Sequence, residues 1–159
     1  MAVKYYNDGC DYSLPSRGKV SLWVRRTVEA EGYRLGPVNY IFCSSQRLLE
    51  MNRQYLGHDY YTDVITFDYS DLEAGRVSGD IFIDVDTVAD NAAQLGVAAG
   101  EEMLRVVIHG VLHLCGYKDK SPDEEARMRA AEDLCLSRLG ECAQAVAKRA
   151  KTPRNGGKR

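Results

Sequence analysis

Long apolar runs are missing from this sequence. The oiliest stretch, Met103 to Cys115, is broken by Arg105, His109 and His113, and falls short of the roughly 18 apolar residues that a membrane span requires. Met1 to Cys10 has no apolar core of the kind an export signal carries, so a cytoplasmic chain with no membrane partner is expected. No two cysteines form a CxxC pair, and the five present (Cys10, Cys43, Cys115, Cys135 and Cys142) are odd in number. Without an export signal, free thiols in a reducing compartment follow, not a disulfide framework. Repeats, low-complexity blocks and interdomain linkers are also absent. The 159 residues therefore read as one domain, long enough to bury a substantial core. Phe and Trp are few, three and one against ten Tyr. Such tyrosines suit the edge of a core, apolar at one end and wet at the other, better than a base-stacking surface.

Basic residues are scarce except at one end. Residues 148–159 hold six Lys/Arg and no acid, which leaves 15 basic and 23 acidic side chains elsewhere. An acidic body is not the usual footprint of a nucleic-acid binder. The organisation expected is a domain over 1–147 and a basic, disordered tail over 148–159, where Pro153 and Gly156-Gly157 interrupt any regular element.

Within the domain, strand patterns cover Val3 to Tyr6, Val38 to Cys43, Asp63 to Tyr69 and Asp80 to Val85. The last is apolar almost without interruption and reads as a central strand. Helical spacing covers Lys19 to Glu31, then a segment capped by Ser44-Ser45 and closed at Gly57, then Thr87 to Leu95 and Glu101 to Cys115. Asp71 to Gly79 reads as a turn. Ser121-Pro122-Asp123-Glu124 is a capping box that opens a final helix through Leu139, with Ala126, Met128, Ala131, Leu134, Cys135 and Leu139 facing inward. Strands mixed with helices indicate an α/β (α+β) fold: one small mixed sheet with packed helices.

Residues 109–119 read HGVLHLCGYKD. His109 and His113 stand one turn apart, so both rings project from one helical face and can grip one ion. Gly116 can take the left-handed conformation that ends the helix and turns the chain back, which brings Asp119 to the same ion. His109, His113 and Asp119 thus make a three-ligand metal site, on a buried helix and the turn after it, with a position open to water. Two core histidines would explain the pair less well, because each buried ring needs hydrogen-bond partners. Cys115 is close in sequence but points from another helical face. One divalent ion is expected, zinc first; Fe(II), Mn and Ni also accept two His and a carboxylate. The Asp adds negative charge, so the ion should be a weaker Lewis acid than one held by three His.

Helical zinc proteases carry H-E-x-x-H, where the Glu is the general base. Here that position is Gly110, which accepts no proton, and a peptidase lacks its base. RNA cleavage suits such a site, because the 2′-OH can serve as nucleophile once the phosphate is stabilised. No residue is identified as the catalytic base.

At this motif the chain resembles the YbeY family of bacterial metal-dependent endoribonucleases, whose pattern is roughly H-G-x-L-H-L-x-G-Y-D-H. Two further blocks carry the resemblance: MNRQYLGHDYYTDVITF over 51–67, and Gly79-Asp80-Ile81. Three of the chain's departures from the family pattern matter most. Asp119 replaces the family's third metal His, Leu56 its phosphate-facing Arg, and Tyr61 its Pro. Arg53, one turn before Leu56, is the candidate substrate-binding stand-in. Thr62 and Asp63 match the family's T-D and either line the cleft or start the strand. Asp80 either orients a ligand His or simply ends a strand, and His58 reads as a solvated loop residue. The resemblance implies a cytoplasmic, single-strand-specific endoribonuclease. Its expected partners are ribosomal RNA and the small subunit, with roles in maturation of the 16S rRNA 3′ end and in ribosome quality control. No nucleotide cofactor is expected. A ribosome assembly factor that uses the metal only as a staple is the alternative, favoured by the missing Arg and the acidic body. A peptidase is the third reading.

Overall fold

The computed structural model describes residues 2–57 and 62–140. His58, Tyr61 and the 148–159 tail lie outside the described residues. The elements run β1 (Val3–Asp8), α1 (Arg17–Ala30), β2 (Arg34–Cys43), α2 (Ser45–Leu56), β3 (Val64–Asp68), β4 (Arg76–Asp84), α3 (Val85–Leu95), α4 (Ala99–Leu114) and α5 (Pro122–Ser137). The strands form one mixed sheet in the order β1-β2-β4-β3. β1, β2 and β4 are parallel, and β3 runs antiparallel along β4.

β4 lies inside the sheet, as its apolar run indicated, with one face buried and the other half-buried. Ile81 and Ile83 join Val38, Tyr40 and Phe42 in the main core under α1 and α4. Phe82 points the other way, into a smaller cluster with Ile41, Ile65 and Phe67 that Leu48 and Met51 of α2 cover. α3 and α5 both pack on α4. Two large polar-tipped rings sit in the main core without orphaned groups. Trp23 Nε1 donates to the Cys135 carbonyl at 2.7 Å, and the Tyr40 hydroxyl donates to the Val107 carbonyl at 2.9 Å.

α4 approaches the sheet closely because glycine lies on each side of the contact. A Cβ on Gly110 would come within 2.8 Å of Ile81 Cγ2, and one on Gly79 within 2.8 Å of Leu114 Cδ2 and 2.5 Å of the Phe67 carbonyl. These two positions press the motif helix onto β4.

Several boundaries differ from the sequence expectation. β2 begins at Arg34 and not at Val38, since pairing continues past Gly36-Pro37 by a register shift between Leu35 and Val38, where Pro37 has no N–H to offer. Asp71 to Gly75 is a turn, but β4 starts at Arg76, so the expected turn ends four residues early. α3 starts at Val85 because the Asp84 side chain accepts from the Thr87 amide at 3.0 Å and caps it. The capping box of α5 is present, with Ser121 Oγ accepting from the Glu124 amide at 3.1 Å and Glu124 Oε1 from the Ser121 amide at 3.0 Å. α5 ends at Ser137, and its buried stripe is Met128, Glu132 and Cys135. Ala126 is exposed and Leu134 is 52% exposed. Met128, Ala131, Cys135 and Leu139 face the core as expected, so the inward face is the expected one without Ala126 and Leu134, and with an acid added.

Candidate metal centre

The last turns of α4 and the chain that follows build the site. Gly116 takes φ 104°, the left-handed side where a Cβ is disfavoured. The Gly116 amide bonds the His113 carbonyl and the Tyr117 amide the Leu112 carbonyl, which closes the helix and reverses the chain. Asp119 then returns to the two histidines.

His113 Nε2 lies 3.0 Å from His109 Nε2 and 3.2 Å from Asp119 Oδ2, and His109 Nε2 lies 3.3 Å from the same oxygen. Tetrahedral ligands at zinc distances of about 2.0–2.1 Å stand about 3.3 Å apart, so the triangle has the size a single ion needs.

Protonation points the same way. The Nδ1–H of His113 donates to the Tyr117 carbonyl at 3.0 Å. His109 Nδ1 faces Glu132 Oε2 at 2.6 Å and donates to that carboxylate. In neutral rings both Nε2 atoms are then lone-pair donors. Two lone pairs and a carboxylate oxygen converge with no donor of their own, an arrangement that a cation satisfies. Among the described residues, His109, His113 and Asp119 are the group able to hold a metal ion. Cys115 is not part of it. Its thiol is buried in the core, and burial pushes its pKa up to about 12.

Glu132 is the residue that sequence reasoning missed. It is buried on α5 and accepts from Arg105 Nη1 at 2.8 Å as well as from His109. Burial works to raise its pKa, but the hydrogen bonds from His109 and Arg105 prevail and lower it. Burial likewise works against charge on His109, and Glu132 reverses the outcome, so the His109 pKa is raised. A ring made more basic in this way is also a better ligand. The available signal was an acid at 132 in register with Met128 and Cys135 on one helical stripe.

The other candidates fall in different places. Asp80 does not orient a ligand His: it accepts from Asn39 Nδ2 at 2.9 Å, on the strand beside it. Asp63 immediately precedes β3, its carbonyl accepting from the Asp84 amide at 2.9 Å, and its burial raises the carboxyl pKa while the nearby His109 opposes the rise. Thr62 is half-buried beside it. Arg53 is exposed in the last turn of α2, on the helix that packs against the other face of the sheet. A surface cleft of about 700 Å³ opens on His109 and Asp119, and its described lining includes Glu125, Arg129 and Glu132 but neither His113 nor Arg53. Gly110 lies against Ile81, so that position could not accommodate a glutamate without displacing Ile81 or the helix.

The chain is similar to known proteins over most of its length. The model of a family described as "Endoribonuclease YbeY" matches residues 16–140. The Endoribonuclease YbeY of Bacteroides thetaiotaomicron is 47% identical over 137 residues, covering 86% of this chain and 98% of that protein. That of Parabacteroides distasonis is 48% identical over 143 residues, covering 89% and 98%. The solution structure of TM1509 from Thermotoga maritima is similar with a TM-score of 0.63 at 26% identity, covering 99% of both chains.

Proposed function

The chain belongs to the Endoribonuclease YbeY family, and from that premise we propose that it is a metal-dependent endoribonuclease that cuts single-stranded ribosomal RNA. The convergence of His109 Nε2, His113 Nε2 and Asp119 Oδ2, each 3.0–3.3 Å from the others, carries the reading. A divalent ion held there, zinc first, supplies Lewis-acid stabilisation of a phosphodiester oxygen. The chain's own residues do the positioning. Glu132 fixes the tautomer and angle of His109, Arg105 neutralises Glu132, and the Tyr117 carbonyl fixes His113. The cleft is open to solvent on one side, which suits a single strand whose backbone can be splayed against it.

Residues 1–147 form the catalytic domain in this reading, and the 148–159 tail adds positive charge to an acidic body. Arg53 contacts the RNA backbone away from the ion. The setting is cytoplasmic, with the small subunit as partner and the 3′ end of 16S rRNA as substrate. Among the described residues no helix is long and apolar enough to cross a membrane. A peptidase is disfavoured on structural grounds, since Gly110 both lacks a base and packs where one would have to stand.

The test is cleavage of a single-stranded rRNA fragment by zinc-loaded wild type and by a folded His113→Ala variant, with metal content measured for each. Cleavage by wild type alone is expected. Cleavage by both would move the chemistry away from the triad. Cleavage by neither, with ribosomal subunits still bound, would favour an assembly factor in which the metal is a staple.

A further inference from the structure

The family pattern places an Arg where this chain has Leu56, an apolar side chain that is 45% exposed. An anionic backbone entering the cleft therefore needs another cation. The acids that line the cleft, Asp119, Glu125 and Glu132, repel a phosphodiester, and among the described lining residues Arg129 is the one Lys or Arg.

Arg129 is placed to turn outward. It is 61% exposed, and its contact in the structure is a long one, Nη1 to Glu132 Oε1 at 4.0 Å. Glu132 already takes stronger donors on both oxygens, Arg105 Nη1 at 2.8 Å and His109 Nδ1 at 2.6 Å. Among the described residues, that long ion pair and the nearby charge of Glu102 are what hold the Arg129 guanidinium against the protein. A planar fork of N–H donors matches a phosphate better than a point charge does. Arg105, by contrast, is engaged at both ends of its fork by Glu132 and Asp133, each at 2.8 Å.

We propose that Arg129 is the phosphate-gripping residue of this protein. On this inference its guanidinium holds an RNA phosphodiester beside the metal triad, in place of the Arg that Leu56 replaces. The inference rests on the endoribonuclease reading and assigns it a substrate contact.

The experiment measures binding of an uncleavable single-stranded 2′-O-methyl RNA to zinc-loaded protein across a salt series. It compares wild type, Arg129→Gln, Arg129→Lys and Arg127→Gln. Arg127 is the charge-matched control, since it lies on the same helix but lines a separate hollow with Cys115, Tyr117 and Lys118. Arg129→Gln is expected to weaken binding roughly ten- to hundred-fold and to reduce the log–log salt slope by about 0.7, the value for one lost phosphate contact on a single strand. Arg129→Lys should restore the slope with intermediate affinity, and Arg127→Gln should stay within about twofold of wild type. Equal losses in Arg129→Gln and Arg127→Gln would overturn the proposal in favour of a diffuse field. So would wild-type affinity in Arg129→Gln, which would leave the endoribonuclease reading intact if wild type still cleaves RNA. A fall in zinc content of Arg129→Gln would also overturn it, by showing that the guanidinium acts through Glu132. A wild type that neither binds nor cleaves single-stranded RNA would sink both readings together.

Discussion

His109 and His113 stand one turn apart and direct the same atom, Nε2, to one point, yet different parts of the chain fix them. His113 is held by main chain, through the carbonyl of Tyr117 four residues on. His109 is held by a side chain 23 residues away, Glu132 of α5, which Arg105 in turn holds. The first support follows from the helix ending at Gly116. The second exists only once α5 packs on α4. One half of the site thus depends on a local turn and the other on tertiary packing, and the two halves should fail differently.

The largest effect is expected from breaking the local half. Gly116→Ala puts a side chain at φ 104°, beyond the left-handed helical well, a conformation that costs an L-residue about 1–3 kcal/mol. The turn would relax, moving the Tyr117 carbonyl and Asp119 together. Zinc affinity should fall by up to about a hundred-fold, the most that such strain can withdraw from binding and the upper end of the loss typical of removing an orienting partner. Titration against a chromophoric chelator measures it, and an unchanged affinity would remove Asp119 from the ligand set.

Glu132→Ala tests the other half alone. It removes the acceptor of His109 Nδ1 and half of the Arg105 pairing, and zinc affinity should drop about 10–100-fold. Glu132→Gln should lie at the mild end, since its amide oxygen still accepts from Nδ1–H. A larger loss for Gln than for Ala would mean that Glu132 does not act as an acceptor.

The same division explains what the sequence made readable. The candidate ligands span eleven residues and the geometry joining them is that of a helix, a glycine turn and a short return, so residue spacing alone placed His109, His113 and Asp119 together. The capping box at Ser121 is equally local. Glu132 needed knowledge of which face of α5 turns inward, and the sparse apolar stripe of that helix suggested Leu134, which is 52% exposed. Arg129 was hidden for the same reason. The start of β2 was missed because Gly36-Pro37 signals a break, whereas strand pairing resumes beyond it with a shifted register. The absence of a base at Gly110 was legible, but the steric reason for glycine there, Ile81 at 2.8 Å from a Cβ, belongs to packing between elements.

Gly110→Ala affects both halves at once, because residue 110 lies between the two histidines on the helix. Its methyl would force Ile81 or the helix to shift, at about 1–3 kcal/mol for an overpacked core. For a chain of this size that lowers the thermal midpoint by roughly 2–12 °C. Zinc affinity should change by less than about tenfold, since both orienting contacts move with the helix and are kept. Calorimetry of zinc-loaded protein with a chelator titration separates the two effects. A collapse of affinity with little loss of stability would mean that the triad tolerates no shift of α4 against β4.

The smallest effect is expected from Tyr117→Ala. The group that orients His113 is the carbonyl of residue 117, which every amino acid carries, so deleting the side chain leaves that support in place. The Tyr117 hydroxyl does donate to Glu31 at 3.1 Å, but at the exposed surface, where such a bond contributes about 0.5–1.5 kcal/mol at most. Its ring packs partly against the core, so some stability should be lost while zinc affinity stays within about threefold of wild type. The contrast with Glu132→Ala is the informative quantity: two substitutions at residues that each orient one ligand His, with unequal consequences because one contact is a side chain and the other is backbone. If Tyr117→Ala weakened zinc as much as Glu132→Ala does, the turn after Gly116 would depend on the tyrosine ring, and the support of His113 would be tertiary as well.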